Sequence, residues 1–393
     1  MVKKRIPSFY LLLLLFFLCA CSIEEKESNI NYDCTPSFDN NNSLHPNNIE
    51  LDALITKYKN SGLPAISMLV HDPIDGFWIG AKGKADLASN TDVKTCSLFR
   101  LASITKIFMG AIFSKLDEQQ ILSIDSLAAD YLPDDIVSNI DNLDQVTIRQ
   151  LLRHQSGIYN YTDSNAYGLD LINSMGHTNK ALNAYDMLKY VYDKDSYFAP
   201  GTGYKYSNTG FLLLGIILSN VTNLSIEEAL TTRIFSRLDL HNTYFNENKP
   251  NPEGLVQGYL DLHGDGNIRK STNTRLAPTT TDGGIISNVY DLYKFSNELF
   301  ENNYLSTDAL AQMLDTGADT EKNVIQHNYG LGIDVDHNAY GHDGYRWDGG
   351  RTILYYYPEK KTTIIILSNL AEGKSNRLFY GLYNDVTSLL NLF

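Results

Sequence analysis

Ser103 and Lys106 stand three residues apart in Leu101-Ala102-Ser103-Ile104-Thr105-Lys106. A serine hydroxyl is a weak nucleophile until a base takes its proton, and a lysine is such a base only when its amine is neutral. The residues that follow, Ile107, Phe108, Ala111, Ile112, Phe113 and Leu116, recur at i, i+3 and i+4 spacing, which predicts a helix. Residues three apart share a helix face, with Cβ atoms roughly 5–6 Å apart, so Lys106 can reach the Ser103 hydroxyl. The lysine sits in an apolar run, and burial lowers an amine's pKa. Taken alone, the pair also fits a helix N-cap followed by a surface lysine.

Two further segments carry chemistry. Tyr206-Ser207-Asn208 lies in the loop after Pro200-Gly201, just before a predicted helix. A tyrosine held near a lysine can exchange protons with a serine hydroxyl or a leaving group. The Asn208 amide can hold a substrate carbonyl and also the lysine. The simpler alternative is a tyrosine packed at a helix start. Tyr340-Gly341-His342-Asp343-Gly344-Tyr345 falls on a predicted strand. Gly344, with no side chain, allows a backbone to approach a substrate closely, and His342 can donate a hydrogen bond to a substrate carboxylate. A hairpin glycine pair with a solvent histidine is the alternative there.

These segments must be positioned by the elements around them. A helix is expected at 49–58, strands at 65–70 and 77–83 about the turn Asp72-Pro73-Ile74-Asp75-Gly76, and then the Ser103 helix. Residues 117–310 read as a mainly helical subdomain, with helices at 147–153, 184–193, 209–221, 225–236 and 289–302. Strands return at 329–335, 341–345, 351–357 and 362–368, followed by a helix over 376–393 with Phe379, Leu382, Val386, Leu389 and Leu390 on one face. If one sheet takes strands from both ends, the termini meet and the helical part is an insertion beside the sheet. The Ser103 helix then lies at the junction, where ligand sites are favoured.

A length of 393 residues with 43% hydrophobic content supports a large core, as one large or two ordinary domains. The net charge of −14 argues against a nucleic-acid partner and against a basic membrane-binding surface. Residues 1–21 read as a targeting segment: Lys3, Lys4 and Arg5 precede an apolar stretch too short to span a bilayer. Its end, Leu18-Cys19-Ala20-Cys21, resembles the lipobox of bacterial lipoproteins. That resemblance implies cleavage before Cys21, lipid attachment to its thiol, and a membrane-anchored, extracytoplasmic location, at the outer membrane in a Gram-negative host. Residues 22–49, rich in asparagine, read as a flexible tether, and 50–393 as the folded domain. Cys34 and Cys96 remain after cleavage and could pair in an oxidising compartment. The sequence does not show whether they are close.

Ser-x-x-Lys, then Tyr-Ser-Asn about a hundred residues on, then His-x-Gly late in the chain, resembles the three-motif order of the serine β-lactamase and penicillin-binding protein superfamily. The likeness is greatest to its class C β-lactamase-related branch, which includes D-alanyl-D-alanine carboxypeptidases, D-aminopeptidases and some esterases. Residues 147–158, Gly283-Gly284 and Tyr329-Gly330-Leu331-Gly332 resemble the family's supporting segments. The resemblance implies an α/β (α+β) fold: a mostly antiparallel β-sheet flanked by helices, with an inserted helical subdomain and a cleft between them. It implies that Ser103 forms an acyl-enzyme, that Lys106 and Tyr206 share the proton work, and that Asn208 positions the substrate amide. His342 replaces the more usual lysine, with Gly344 beside it, and the backbone N–H groups of Ser103 and Tyr345 form an oxyanion hole. No cofactor and no metal is called for. The implied substrate is a small peptide, ester or β-lactam. A D-alanyl-D-alanine carboxypeptidase-like hydrolase, a carboxylesterase or β-lactam hydrolase, and a slow binding or sensor lipoprotein all fit the motifs. The oligomeric state is not legible.

Overall fold

The computed structural model describes Cys34 and residues 42–174, 183–245, 251–261, 263, 265–271, 280–317, 328–336, 338–371 and 374–392. The targeting segment, Cys21 and most of the expected tether lie outside the described residues.

A seven-stranded antiparallel sheet organises the chain. Its strands are β1 (Ala65–Asp72), β2 (Gly76–Asp86), β3 (Thr91–Asp92), β4 (Asp334–Val335), β5 (Tyr340–Arg346), β6 (Gly350–Tyr357) and β7 (Thr362–Ser368), in the spatial order β3-β2-β1-β7-β6-β5-β4. The first hairpin forms because Asp72 Oδ1 accepts from the N–H groups of Ile74 and Asp75, both at 2.8 Å. Gly76 then takes φ +77°, a region that costs glycine nothing. β7 is buried throughout, as its run Thr-Thr-Ile-Ile-Ile-Leu-Ser requires of a strand covered on both faces. It pairs with β1, Ile66 opposite Ser368, so the two ends of the chain share the middle of the sheet.

Side chains alternate across a strand, and each face has its own cover. On one side lie α1 (Asn48–Asn60) and the C-terminal helix, Lys374–Leu389. Leu51, Ile55, Phe379, Leu382 and Val386 from these helices pack with Met68, Ile353, Ile364 and Ile366. Each fully buried side chain of this size contributes roughly 1.5–3 kcal/mol. Tyr58 and Lys57 of α1 both donate to Asp385 Oδ2 at 2.8 Å, which fixes the two helices together. On the other side α2 (Thr105–Glu118) meets the helix Val289–Phe300, with Phe108 stacked on Phe295 at 3.7 Å.

Between β3 and β4 the chain is mainly helical. α2 and α3 (Asn208–Thr222) run through its core, and α3 is buried at every position from Thr209 to Leu218. A short pair, Phe99–Arg100 with Ile286–Ser287, closes the insertion next to the sheet.

Several expectations need correction. Residues 329–333 are not a strand; only Asp334–Val335 pairs with β5. The cause is Gly332, which takes φ +74° and donates its N–H to Leu152 O, so that a tight turn replaces extended backbone. The helix expected at 184–193 stops after Ala184–Leu188, and that at 225–236 is Ile226–Leu230 followed by a wider turn at Thr231–Phe235. The tether does not extend to residue 49. Asn42 both donates to Ile79 O (2.6 Å) and accepts from Ile79 N–H (3.0 Å), so its amide docks on β2 as a peptide would. Cys34 and Cys96 form a disulfide, with Cα atoms 5.2 Å apart.

A Cβ on Gly332 would lie 2.3 Å from Lys106 O in α2. Gly332→Ala is therefore expected to destabilise the protein by about 1–3 kcal/mol, from backbone strain alone, and to lower the thermal midpoint seen by circular dichroism. An unchanged midpoint would mean that the turn relaxes away from α2 without penalty.

Candidate active site

Ser103 is carried on a strained turn rather than inside a continuous helix. Phe99–Arg100 leads into the short 3₁₀ turn Ala102–Ile104, and α2 begins only at Thr105. Ala102 adopts φ +51°, in the left-handed region. An alanine there persists only where its surroundings hold it, and they do. Thr352 Oγ1 donates to Leu101 O at 2.7 Å, Leu101 N–H donates to Ile285 O at 2.8 Å, and Ile285 N–H donates to Thr105 Oγ1 at 3.1 Å. Gly344 explains the close approach of β5: a Cβ there would stand 2.4 Å from Leu101 O and 3.0 Å from Ala102 Cβ. Gly344 thus clears room for the turn that carries Ser103.

Lys106 is fully buried in the first turn of α2. Its Nζ lies 3.1 Å from Ser103 Oγ, 2.9 Å from Asn208 Oδ1 and 2.6 Å from Asp282 O. A neutral amine has two N–H bonds and one lone pair. Donation to the Asn208 and Asp282 oxygens uses both hydrogens and leaves the lone pair for the Ser103 O–H. Burial is the main cause that brings this amine down to about 8, with Asp282, Asp343 and Asp334 opposing it.

Tyr206 completes the set. Its hydroxyl donates to Ser103 Oγ at 2.9 Å, and its ring lies 5.0 Å from Lys106 Nζ. Loss of water pushes the phenol well above its ordinary pKa, so Tyr206 keeps its proton and has it available to donate. Asn208 opens α3. Its N–H donates to Asn160 Oδ1 at 3.0 Å and its Nδ2 reaches towards Thr162 Oγ1 at 3.5 Å, an arrangement that turns Oδ1 to the lysine.

A cavity of about 300 Å³ opens on Ser103 and Asn208. Tyr345 and Arg346 of β5 line it, together with Asp282 and Thr162. The Tyr345 ring meets the Arg351 guanidinium at 4.4 Å. Arg346 donates through Nε and Nη2 to the two oxygens of Asp348, at 2.7 and 3.1 Å, and through Nη1 to Gly283 O at 2.7 Å. Arg100 meets Asp348 from the other side at 2.9 Å. Burial alone would raise the Asp348 carboxyl, but the two guanidinium groups hold it low.

His342 does not line this cavity and is only 3% exposed. It shares a strand face with Gly344 and Arg346, yet its ring is covered by Tyr329 and Tyr206, at ring-centre distances of 5.6 and 6.2 Å. Nδ1 donates to the Asp343 carbonyl, and Nε2 accepts from the Tyr329 hydroxyl at 3.0 Å. The ring expected to meet a substrate carboxylate is instead buried and hydrogen-bonded to Tyr329. Nδ1 also lies 3.9 Å from both Asp334 Oδ2 and Asp343 Oδ1.

Ser103, Lys106, Tyr206 and Asn208 are thus brought together from segments a hundred residues apart. Sequence reasoning missed Asp282, which acts through its backbone carbonyl and so leaves no mark on residue type. It also missed Thr162, whose hydroxyl accepts from Asn160 Nδ2 at 2.7 Å.

A family model described as Beta-lactamase matches residues 51–382. Penicillin-binding protein 4* of Bacillus subtilis strain 168 is 27% identical over 305 residues, which cover 74% of this chain and 64% of that protein. The chain therefore spans less than two thirds of that relative's length. A putative D-alanyl-D-alanine carboxypeptidase of Salmonella agona is 25% identical over 370 residues, covering 81% of this chain and 82% of its own. The solved D-amino acid amidase of Ochrobactrum anthropi SV3, complexed with D-phenylalanine, superposes with a TM-score of 0.73 at 22% identity, over 88% of this chain and 98% of its own. At that identity the likeness is one of fold.

The base assignment has a pH signature. With the amine near 8, the neutral form falls about tenfold per pH unit below that value. Labelling of Ser103 by a fluorophosphonate, followed by intact mass, is expected to speed up with pH and level off above about 8. Lys106→Arg, which stays protonated, is expected to lose labelling at every pH. A flat profile would remove Lys106 as the base.

Proposed function

The chain belongs to the beta-lactamase family, and from that membership we propose that it is a serine hydrolase whose substrates are D-alanyl peptides of the cell wall. The observation that carries the reading is Ser103 Oγ held between Lys106 Nζ and the Tyr206 hydroxyl at the mouth of a cavity. Lys106 takes the Ser103 proton as Oγ attacks the substrate carbonyl carbon. The carbonyl π electrons move to oxygen, where the backbone N–H groups of Ser103 and Tyr345 receive the charge; one such donor is typically worth about 10²–10³ in rate. As the tetrahedral species collapses, Tyr206 gives its proton to the departing amine and is restored from Lys106. Water then attacks the Ser103 ester by the same path in reverse, which releases the acid. Asn208 Nδ2 and Thr162 hold the substrate amide.

The name of the Salmonella relative supports this substrate class. Arg346 supports it too, as the guanidinium that lines the cavity. A second reading is a carboxylesterase acting on neutral substrates. The position of His342 favours it, because the residue expected to read a substrate carboxylate is covered by tyrosines. Turnover of D-alanyl-D-alanine peptides and of nitrophenyl acetate decides between them. On the peptidase reading, Arg346→Lys, which keeps a cation beside Asp348 but loses the guanidinium fork, lowers kcat/KM on the peptide by about tenfold or more, the loss of one charge-assisted contact, and changes turnover of the ester much less. His342→Gln is expected to affect both substrates alike. Equal effects of Arg346→Lys on both substrates would give the esterase reading the advantage. Ser103→Ala abolishes every activity on either reading.

The cell-wall substrate accords with an extracytoplasmic protein anchored through lipid on Cys21. Cys21→Ala is then expected to leave the detergent phase and stay in the aqueous phase. Unchanged partitioning would reject the anchor.

A further inference from the structure

His154 touches the chain on both sides of Tyr206. Its backbone carbonyl accepts from Lys205 N–H at 3.0 Å, and its Nδ1 accepts from Ser207 N–H at 3.1 Å. The imidazole also packs on the Tyr206 ring itself, with centres 4.1 Å apart, and is boxed in by Tyr329 at 4.6 Å and Phe211 at 5.3 Å. It is 1% exposed, and its own backbone takes φ +56°. Because Nδ1 accepts, the ring proton is on Nε2, and Nε2 has no hydrogen-bond partner among the described residues. Leaving a buried donor unsatisfied costs about 1–3 kcal/mol. The left-handed backbone ends the helix Ile148–Leu152, where Gln155 N–H donates to Gln150 O at 2.9 Å, so the unsatisfied ring donor is the cost that calls for a reason.

We infer that His154 is a positioning residue that fixes the Tyr206 hydroxyl in place as proton donor to the leaving group. The inference rests on the proton roles proposed above. The two N–H groups that flank Tyr206 are both tied to one residue, so the backbone on either side of the phenol cannot rotate without breaking a contact to His154. The ring contact then sets the tilt of the phenol. A histidine serves because Nδ1 keeps its lone pair. Burial first, then Lys106 and His342, hold the imidazole well below its ordinary pKa, so it stays neutral. Tyr206, Tyr204, Tyr329 and Phe211 are the rings around it, and Lys106 and His342 are the titratable groups that act on it.

The test compares leaving groups in the full-length protein. An amide leaves as an amine only when protonated, whereas p-nitrophenolate leaves without a proton. His154→Phe keeps a flat ring but loses the acceptor for Ser207 N–H. It is expected to lower kcat/KM on a D-alanyl amide by about 10²-fold, the usual penalty for a misplaced catalytic group. On p-nitrophenyl acetate it is expected to change kcat/KM by less than about threefold, since no proton is needed. His154→Asn, which restores an acceptor near the Nδ1 position, should recover most of the amide activity. Fluorophosphonate labelling of Ser103, whose leaving group is fluoride, reports that each variant is folded. Tyr206→Phe is the reference. If it shows the leaving-group dependence and His154→Phe loses both substrates equally, the positioning role is overturned and the proton roles stand. If Tyr206→Phe itself shows no such dependence, the proton roles fail first.

Discussion

Lys106 buries its amine completely, with no water to carry a charge. Placing an ammonium there costs several kcal/mol unless oxygens surround it, and three do. Those oxygens come from the turn before α2, from the first residue of α3, and from a loop that follows more than half the insertion. The amine is therefore satisfied only when three remote parts of the chain have converged. Two of the oxygens use its hydrogens, and the third offers it one. The same geometry that makes burial tolerable aims the lone pair at Ser103.

The charges around the cavity follow the same logic. Asp348 is buried between Arg100 and Arg346, and breaking such a group by removing one partner is strongly destabilising. Asp282 holds Lys106 through its backbone, while its carboxylate accepts from Tyr161 at 2.8 Å and from the Thr280 hydroxyl. Side chains thus fix a loop whose main chain does the work. The substrate faces few mobile charges, and the electrostatics of the site are set before anything binds, which is how an enzyme avoids reorganisation at the moment of reaction.

Much of this was legible because it is local. Ser103 and Lys106 are three apart on one helical turn, and the apolar residues after them announce burial. β6 and β7 carry dense β-branched and aromatic runs and were placed nearly to the residue. Tyr206 and Asn208 were legible only as a motif, since nothing in their own neighbourhood says that Ser103 lies beside them. The failures share a cause. Asn42 has the composition of a tether, but an asparagine amide can copy a peptide group and join a strand. Tyr329 to Ile333 have strand-forming side chains, but two glycines let tertiary contacts bend them. His342 lies on a strand that its neighbours' side chains announce. Its exposure depends on Tyr329 and Tyr206, which arrive from elsewhere in the chain.

The join between β1 and β7 has a consequence for how the molecule is made. Ala65 N–H donates to the side chain of Asn369, 304 positions away. Loop-closure entropy grows only with the logarithm of length, so a span of this size costs about 2 kcal/mol more than one a tenth as long. The kinetic effect is larger, because sheets dominated by distant pairings form slowly. During synthesis β1 and β2 emerge first and wait with an open edge, while the whole helical insertion is made. Only when β7 appears can the middle of the sheet be filled. Until then Ile66, Met68 and Val70 present an unpaired apolar edge, the kind of surface that aggregates or recruits a chaperone. The last strand to be made therefore decides whether the first is ever enclosed in a sheet.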